Sequence, residues 1–137
     1  MPKKYLVWSD EFSVGVKTLD DQHKKLIIAI SKLIDIIGTK PTKEKLDEII
    51  ADILEYKNTH FATEEKYFQD YHYAGAEEHI TEHKKFNENL ADLQSKFKDL
   101  PIDFAFALAD FLEDWLFDHL WNMDRKYIEC FMDCGLK

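Results

Sequence analysis

Two short runs place strong metal-binding side chains four residues apart: His60-Phe61-Ala62-Thr63-Glu64 and His79-Ile80-Thr81-Glu82-His83. Residues four apart on an α-helix stack on one face, so His60 and Glu64 point the same way, as do His79 and His83. Neutral imidazoles and carboxylates are ligands that iron, manganese and zinc accept. His23 and the pair His119 and Asp124 offer the same chemistry elsewhere in the chain.

The elements that must position these groups read as helices. Thr18-Leu19-Asp20-Asp21 has the form of a capping box, and His23, Leu26, Ile27, Ile30, Ile34 and Ile37 then share a face up to Gly38, which predicts a helix over about 18–37. Lys40-Pro41-Thr42 opens a second, over about 42–71, whose inner stripe holds Leu46, Ile53, His60, Glu64 and Phe68. Ala74-Gly75 makes the turn into a third, over about 77–98, with His79, His83, Phe86, Leu90 and Leu93 inward. Past Pro101 a fourth runs over about 102–128 through Leu108, Leu112, Trp115 and His119, and a short tail holds Cys130 and Cys134. Residues 1–17 show no helical period and read as an extended arm that can lay Trp8, Phe12, Val14 and Val16 on the body. The expected fold is all-α, an antiparallel up-down-up-down four-helix bundle in one domain over 1–137.

Five of the six histidines (His23, His60, His79, His83 and His119) fall on inner stripes, in register with Leu, Ile and Phe; His72 falls beside a turn and reads as a surface residue. A buried imidazole without a partner costs a few kcal/mol. A core with five of them needs a separate partner for each, whereas one shared metal site satisfies all. The histidines lie near the start of the first and third helices and near the end of the second and fourth. In an up-down bundle those places meet at one end, so the site is expected to be eccentric.

Composition removes several function classes. A formal net charge of −9 disfavours nucleic acid and anionic membrane surfaces. No apolar run approaches the roughly 18 residues of a membrane span. The stretch Tyr5-Leu6-Val7-Trp8 is too short for a secretory segment, which points to a cytoplasmic protein. Cys130 and Cys134 then read as reduced, partly buried thiols.

With these elements in place the chain resembles the hemerythrin family, specifically its single-domain bacterial type. The resemblance rests on Trp8, Val14-Gly15-Val16, Asp20-Asp21-Gln22-His23-Lys24, His60-Phe61-Ala62-Thr63-Glu64-Glu65, His79 through Phe86, and His119-Leu120-Trp121-Asn122-Met123-Asp124. It implies a non-haem di-iron site: His79, His83 and His119 on one iron, His23 and His60 on the other, and Glu64, Asp124 and an oxo or hydroxo group bridging the two. These fill all but one of the about twelve positions that two octahedral ions offer, and the open one, on the two-histidine iron, is where O2 is expected. His119 and Asp124, five apart, sit about 140° apart on an ideal helix, so reaching one site together calls for a π-bulge.

The expected function is reversible O2 binding for carriage, storage or delivery, without catalysis, since a mostly imidazole site stabilises high-valent iron less than a carboxylate-rich one. Ile27, Phe61, Phe68, Trp115, Leu116 and Leu120 are candidates for a dry wall around the gas; Leu116 matches a position that lines the O2 pocket in the family. The alternatives are O2 or redox sensing through a partner, or a di-iron enzyme handling peroxide or NO. No long exposed apolar stripe stands out, so a monomer is expected, with an O2-accepting protein as the remaining partner class.

Overall fold

The structure, a computed structural model, describes residues 8–40 and 42–136, leaving aside the side chains of Phe117, Leu120 and Trp121. The first residues of the arm, Pro41 as a helix opener and the Leu120 side chain therefore lie outside the described residues. Four long helices carry the chain: α1 (Lys17–Ile37), α2 (Lys43–Asp70), α3 (Ala76–Lys96) and α4 (Pro101–Asp118). A π-helical turn, His119–Met123, leads from α4 into two short helices, α5 (Asp124–Lys126) and α6 (Ile128–Asp133). The described residues contain no strand.

Local chemistry explains most of the boundaries. The Thr42 side chain accepts a hydrogen bond from the Lys45 N–H at 3.2 Å, capping α2. Pro101 opens α4, where its missing N–H costs nothing. The start of α1 departs from the expected capping box. The cap is Val16, without a side-chain bond, and the helix begins at Lys17. Asp20 turns outward from the helix instead and accepts from the Val14 N–H (2.9 Å) and the Ser13 hydroxyl (2.6 Å). It pins the arm, where Gly15 at φ +78° bends the chain between two buried valines, Val14 and Val16. A side chain at that φ would be strained.

The arm is not wholly extended: Asp10–Phe12 form a 3-10 turn. Phe12 is buried in the main core and Trp8 packs against it, the ring centroids 5.9 Å apart. The tail, too, is more ordered than its fading periodicity implies. Phe131 of α6 is fully buried among Val14, Val16, Leu19, Phe68 and Tyr127, a second apolar cluster that closes one end of the bundle. An aromatic-rich cluster of this kind needs no helical period in the sequence that builds it. Cys130 is half-buried and Cys134 exposed, both free thiols, with Cys130 Sγ 3.8 Å from the Tyr71 carbonyl.

The main core fills the other half. Leu26, Ile30, Leu33, Ile53, Leu108 and Leu112 are buried there, and α1 packs on α2 and α4 while α3 packs on those same two. His23 near the start of α1 meets His60 late in α2, and His79 near the start of α3 meets His119 just past α4. Neighbouring helices therefore run alternately up and down, and the polar groups gather between the two apolar clusters.

Candidate metal centre

The seven candidate ligands come together. His23, His60, Glu64, His79, His83, His119 and Asp124 are all buried, none more than 3 % exposed. Each imidazole turns its Nε2 inward. His23 Nε2 lies 2.9 Å from His60 Nε2 and 3.0 Å from Asp124 Oδ2. His79 Nε2 lies 3.0 Å from His119 Nε2, 3.2 Å from Asp124 Oδ1 and 3.3 Å from Glu64 Oε1. His83 Nε2 is 3.1 Å from Glu64 Oε1, and His60 Nε2 is 3.4 Å from it. The donors form two groups that share Glu64: Glu64, His79, His83 and His119 in one, His23, His60, Glu64 and Asp124 in the other.

The π-helical turn makes the last two possible. The Asp124 N–H donates to the His119 carbonyl, five residues back. The extra residue in that turn brings Asp124 onto the face of His119, which a regular helix would turn away.

Whether these residues fit a metal can be asked of the protein atoms alone. Two donors each about 2.1 Å from one ion and at right angles are about 3 Å apart, the spacing these nitrogens and oxygens hold. Pairs of Nε2 atoms face one another, and neither oxygen of the buried Asp124 meets a donor in hydrogen-bonding geometry. Buried polar groups are rarely left so. The donor set, imidazole with carboxylate, suits iron, manganese or zinc. The residues fit.

The electrostatics point the same way. Burial works against charge on Glu64, yet the imidazoles of His60, His119, His79 and His83 outweigh it and hold the carboxyl well below its ordinary pKa. Asp124 is likewise held low, against burial and Glu64, by His119. Burial pulls His60 down to about 3, in spite of Glu64 beside it. His119 goes the other way: the charges of Asp124 and Glu64 overcome burial and push it up to about 10. Two buried carboxylates thus stay ionised, and without an ion they draw a proton onto an imidazole.

A surrounding layer fixes the rings. His60 Nδ1 lies 2.9 Å from the Gln22 side-chain Oε1, and His83 Nδ1 lies 2.9 Å from Glu65 Oε2. Phe61 stacks on His83 (3.7 Å, 7°) and Trp115 on His119 (4.2 Å, 16°). The fully buried Tyr127 donates its hydroxyl to Glu64 Oε2 at 2.8 Å. Burial, then Asp124 and Glu64, raise the Tyr127 pKa well above its usual value, so the phenol remains a donor. Tyr127 is absent from the ligand pattern of the sequence. The available signal was its place one turn after Asp124, on the same face. Outer partners of this kind tune metal affinity 10- to 100-fold. Tyr127→Phe is expected to weaken ion binding by about tenfold and to cost the metal-free protein about 1 kcal/mol, read by metal titration and denaturant unfolding.

Of the apolar candidates, Ile27, Phe61 and Leu116 are buried in the main core, against which Trp115 packs. Phe68 belongs to the other cluster, 4.7 Å from His79 and in contact with Tyr127 and Phe131. His72 is exposed, as expected.

Among known proteins, the family described as the hemerythrin HHE cation binding domain matches residues 14–131. The chain belongs to the hemerythrin family. A bacteriohemerythrin of Clostridium acetobutylicum is 30% identical over 127 residues, covering 90% of this chain and 98% of that one. A bacteriohemerythrin of Methylococcus capsulatus is 32% identical over 120 residues, covering 88% and 91%. The myohemerythrin of Riftia pachyptila is 28% identical over 128 residues, 93% of each. As a member of that family the chain is a helical bundle with a cation-binding cluster of His, Glu and Asp, and no described helix is long and apolar enough to cross a membrane.

Proposed function

We propose that this hemerythrin binds O2 reversibly at a non-haem di-iron site. His79, His83 and His119 would hold one iron, His23 and His60 the other, with Glu64, Asp124 and an oxo or hydroxo group between them. The observation that carries the reading is the pair of buried donor groups sharing Glu64, one with three imidazoles and one with two. The unequal count leaves a ligand position free on the two-histidine side. Bound iron would supply the electrons and the coordination position that O2 requires.

The chain's own residues do the rest. Gln22 and Glu65 hold His60 and His83 by their outer nitrogens, and Tyr127 fixes Glu64. Ile27, Phe61 and Leu116 present apolar surface and exclude water. A dry wall slows proton entry, and with it irreversible oxidation. Phe68, seated against His79, supports the three-histidine side. Five imidazoles against two carboxylates favour binding over oxidase chemistry. The protein then serves as a cytoplasmic, monomeric single-domain carrier or store rather than an enzyme.

The test is stoichiometry: iron analysis should give two ions per chain, and an oxygen electrode one O2 taken up per two irons and returned as the O2 pressure falls. Uptake without return would replace the carrier with an enzyme or sensor. Leu116→Ala is expected to leave iron content unchanged but to speed conversion of the loaded protein in air to a stable oxidised form. About tenfold is the expected effect, on the scale that the shell around a site exerts, followed as absorbance against time.

A further inference from the structure

The seven-residue cluster is almost sealed, and an ion must still reach it. Between α3 and the end of α4, a groove of about 260 Å³ opens to solvent, lined by Glu82, Trp115, Asp118, His119, Asn122 and Met123. No Lys or Arg is among these residues. Glu82 is half-buried, and Asp118 and Asn122 are exposed. Carboxylate and amide oxygens are groups that accept a hard divalent cation.

Acidic residues in a groove are not by themselves a site. Here the floor is His119, 3 % exposed. Its Nε2 faces inward to Asp124 at 2.9 Å, while its Nδ1 is buried with no hydrogen-bond partner. One imidazole thus touches both the groove and the buried donors. His119, Asn122 and Met123 also belong to the π-helical turn, where the regular backbone bonding is broken. Such turns are frequent at functional sites.

We propose that this groove is the entry port for the metal: Glu82 and Asp118 capture a hydrated divalent iron ion, and His119, which lines the groove and also meets the buried donors, passes it inward. The proposal rests on His119 being a ligand of the buried site. Carboxylates at a cleft mouth raise the local cation concentration and the association rate without altering the final complex.

The test mixes metal-free protein with Fe2+ alone, without air, and follows the loading rate and the final ion count. The double variant Glu82→Gln, Asp118→Asn is expected to load about tenfold more slowly, the low end of such steering effects. It should reach the wild-type ion count and the wild-type unfolding midpoint. Asp52→Asn with Glu55→Gln, carboxylates on the α1–α2 side of the bundle, is expected to load at the wild-type rate. Equal slowing in both double variants would reduce the effect to overall charge and overturn the port. So would wild-type loading in the Glu82, Asp118 variant. Those results leave the buried site standing, whereas a wild-type chain that takes up no ions overturns the ligand reading itself.

Discussion

Metal-free protein is expected to unfold far below the metal-loaded form. The cluster sets two ionised carboxylates and five imidazoles in the interior, with both Asp124 oxygens and the Nδ1 atoms of His23, His79 and His119 unsatisfied. Ionised groups without full partners are costly to bury. An ion that binds only the folded state returns that cost. At a thousandfold excess over its Kd it contributes about 4 kcal/mol, which for a domain of this size is roughly 12–20 °C in the unfolding midpoint. Calorimetry before and after chelation measures it. A shift of only a degree or two would mean that the cluster is content without metal, held by its internal ion pairs.

The second large effect belongs to Glu64. Its Oε1 lies within 3.4 Å of His60, His79 and His83 Nε2, and its Oε2 takes the Tyr127 hydroxyl. It is the one residue common to both donor groups. Glu64→Ala is expected to lower affinity for both ions by more than about 100-fold, beyond the 10- to 100-fold effect of losing an outer partner, because the donor itself is removed. His23→Ala is the contrast: it belongs to one group only, so it should drop the ion count from two toward one. Metal titration of the two variants, with analysis of bound iron, separates these outcomes. Equal loss in both would mean that the two groups bind as one cooperative unit; no loss in Glu64→Ala would remove Glu64 from the centre.

Much of this arrangement is legible in the sequence because the relevant spacings are helical. His60 with Glu64 and His79 with His83 share faces by geometry alone, and the stripes of Leu26, Ile30, Leu90 and Leu108 orient those faces inward. The five-residue step from His119 to Asp124 has no regular-helix solution, so it announces the π-helical turn. What periodicity does not encode is harder to read. Thr18 and Asp21 have the spacing of a capping box, yet the helix starts at Lys17 without a side-chain cap, and Asp20 between them serves the arm, accepting from Ser13 and the Val14 N–H. Tyr127 and Phe131 are placed by the docking of α5 and α6 after the π-helical turn, which breaks the phase of the pattern. Lys57 is another such residue. A charged side chain there reads as a solvent position, but it is buried, its Nζ donating to the Asn87 side-chain Oδ1 at 2.8 Å and about as far as a cation–π contact allows from the Phe61 and Phe86 rings (5.5 and 5.4 Å). Burial pulls its pKa down.

The central claim, reversible O2 binding at two irons, is tested most directly by the visible absorption of iron-loaded protein, reduced without air, exposed to O2 and then purged. A band that rises with O2, falls on purging and returns on re-exposure is the predicted result. A band that appears once and decays to a fixed oxidised spectrum, or no band with two irons bound, would contradict it.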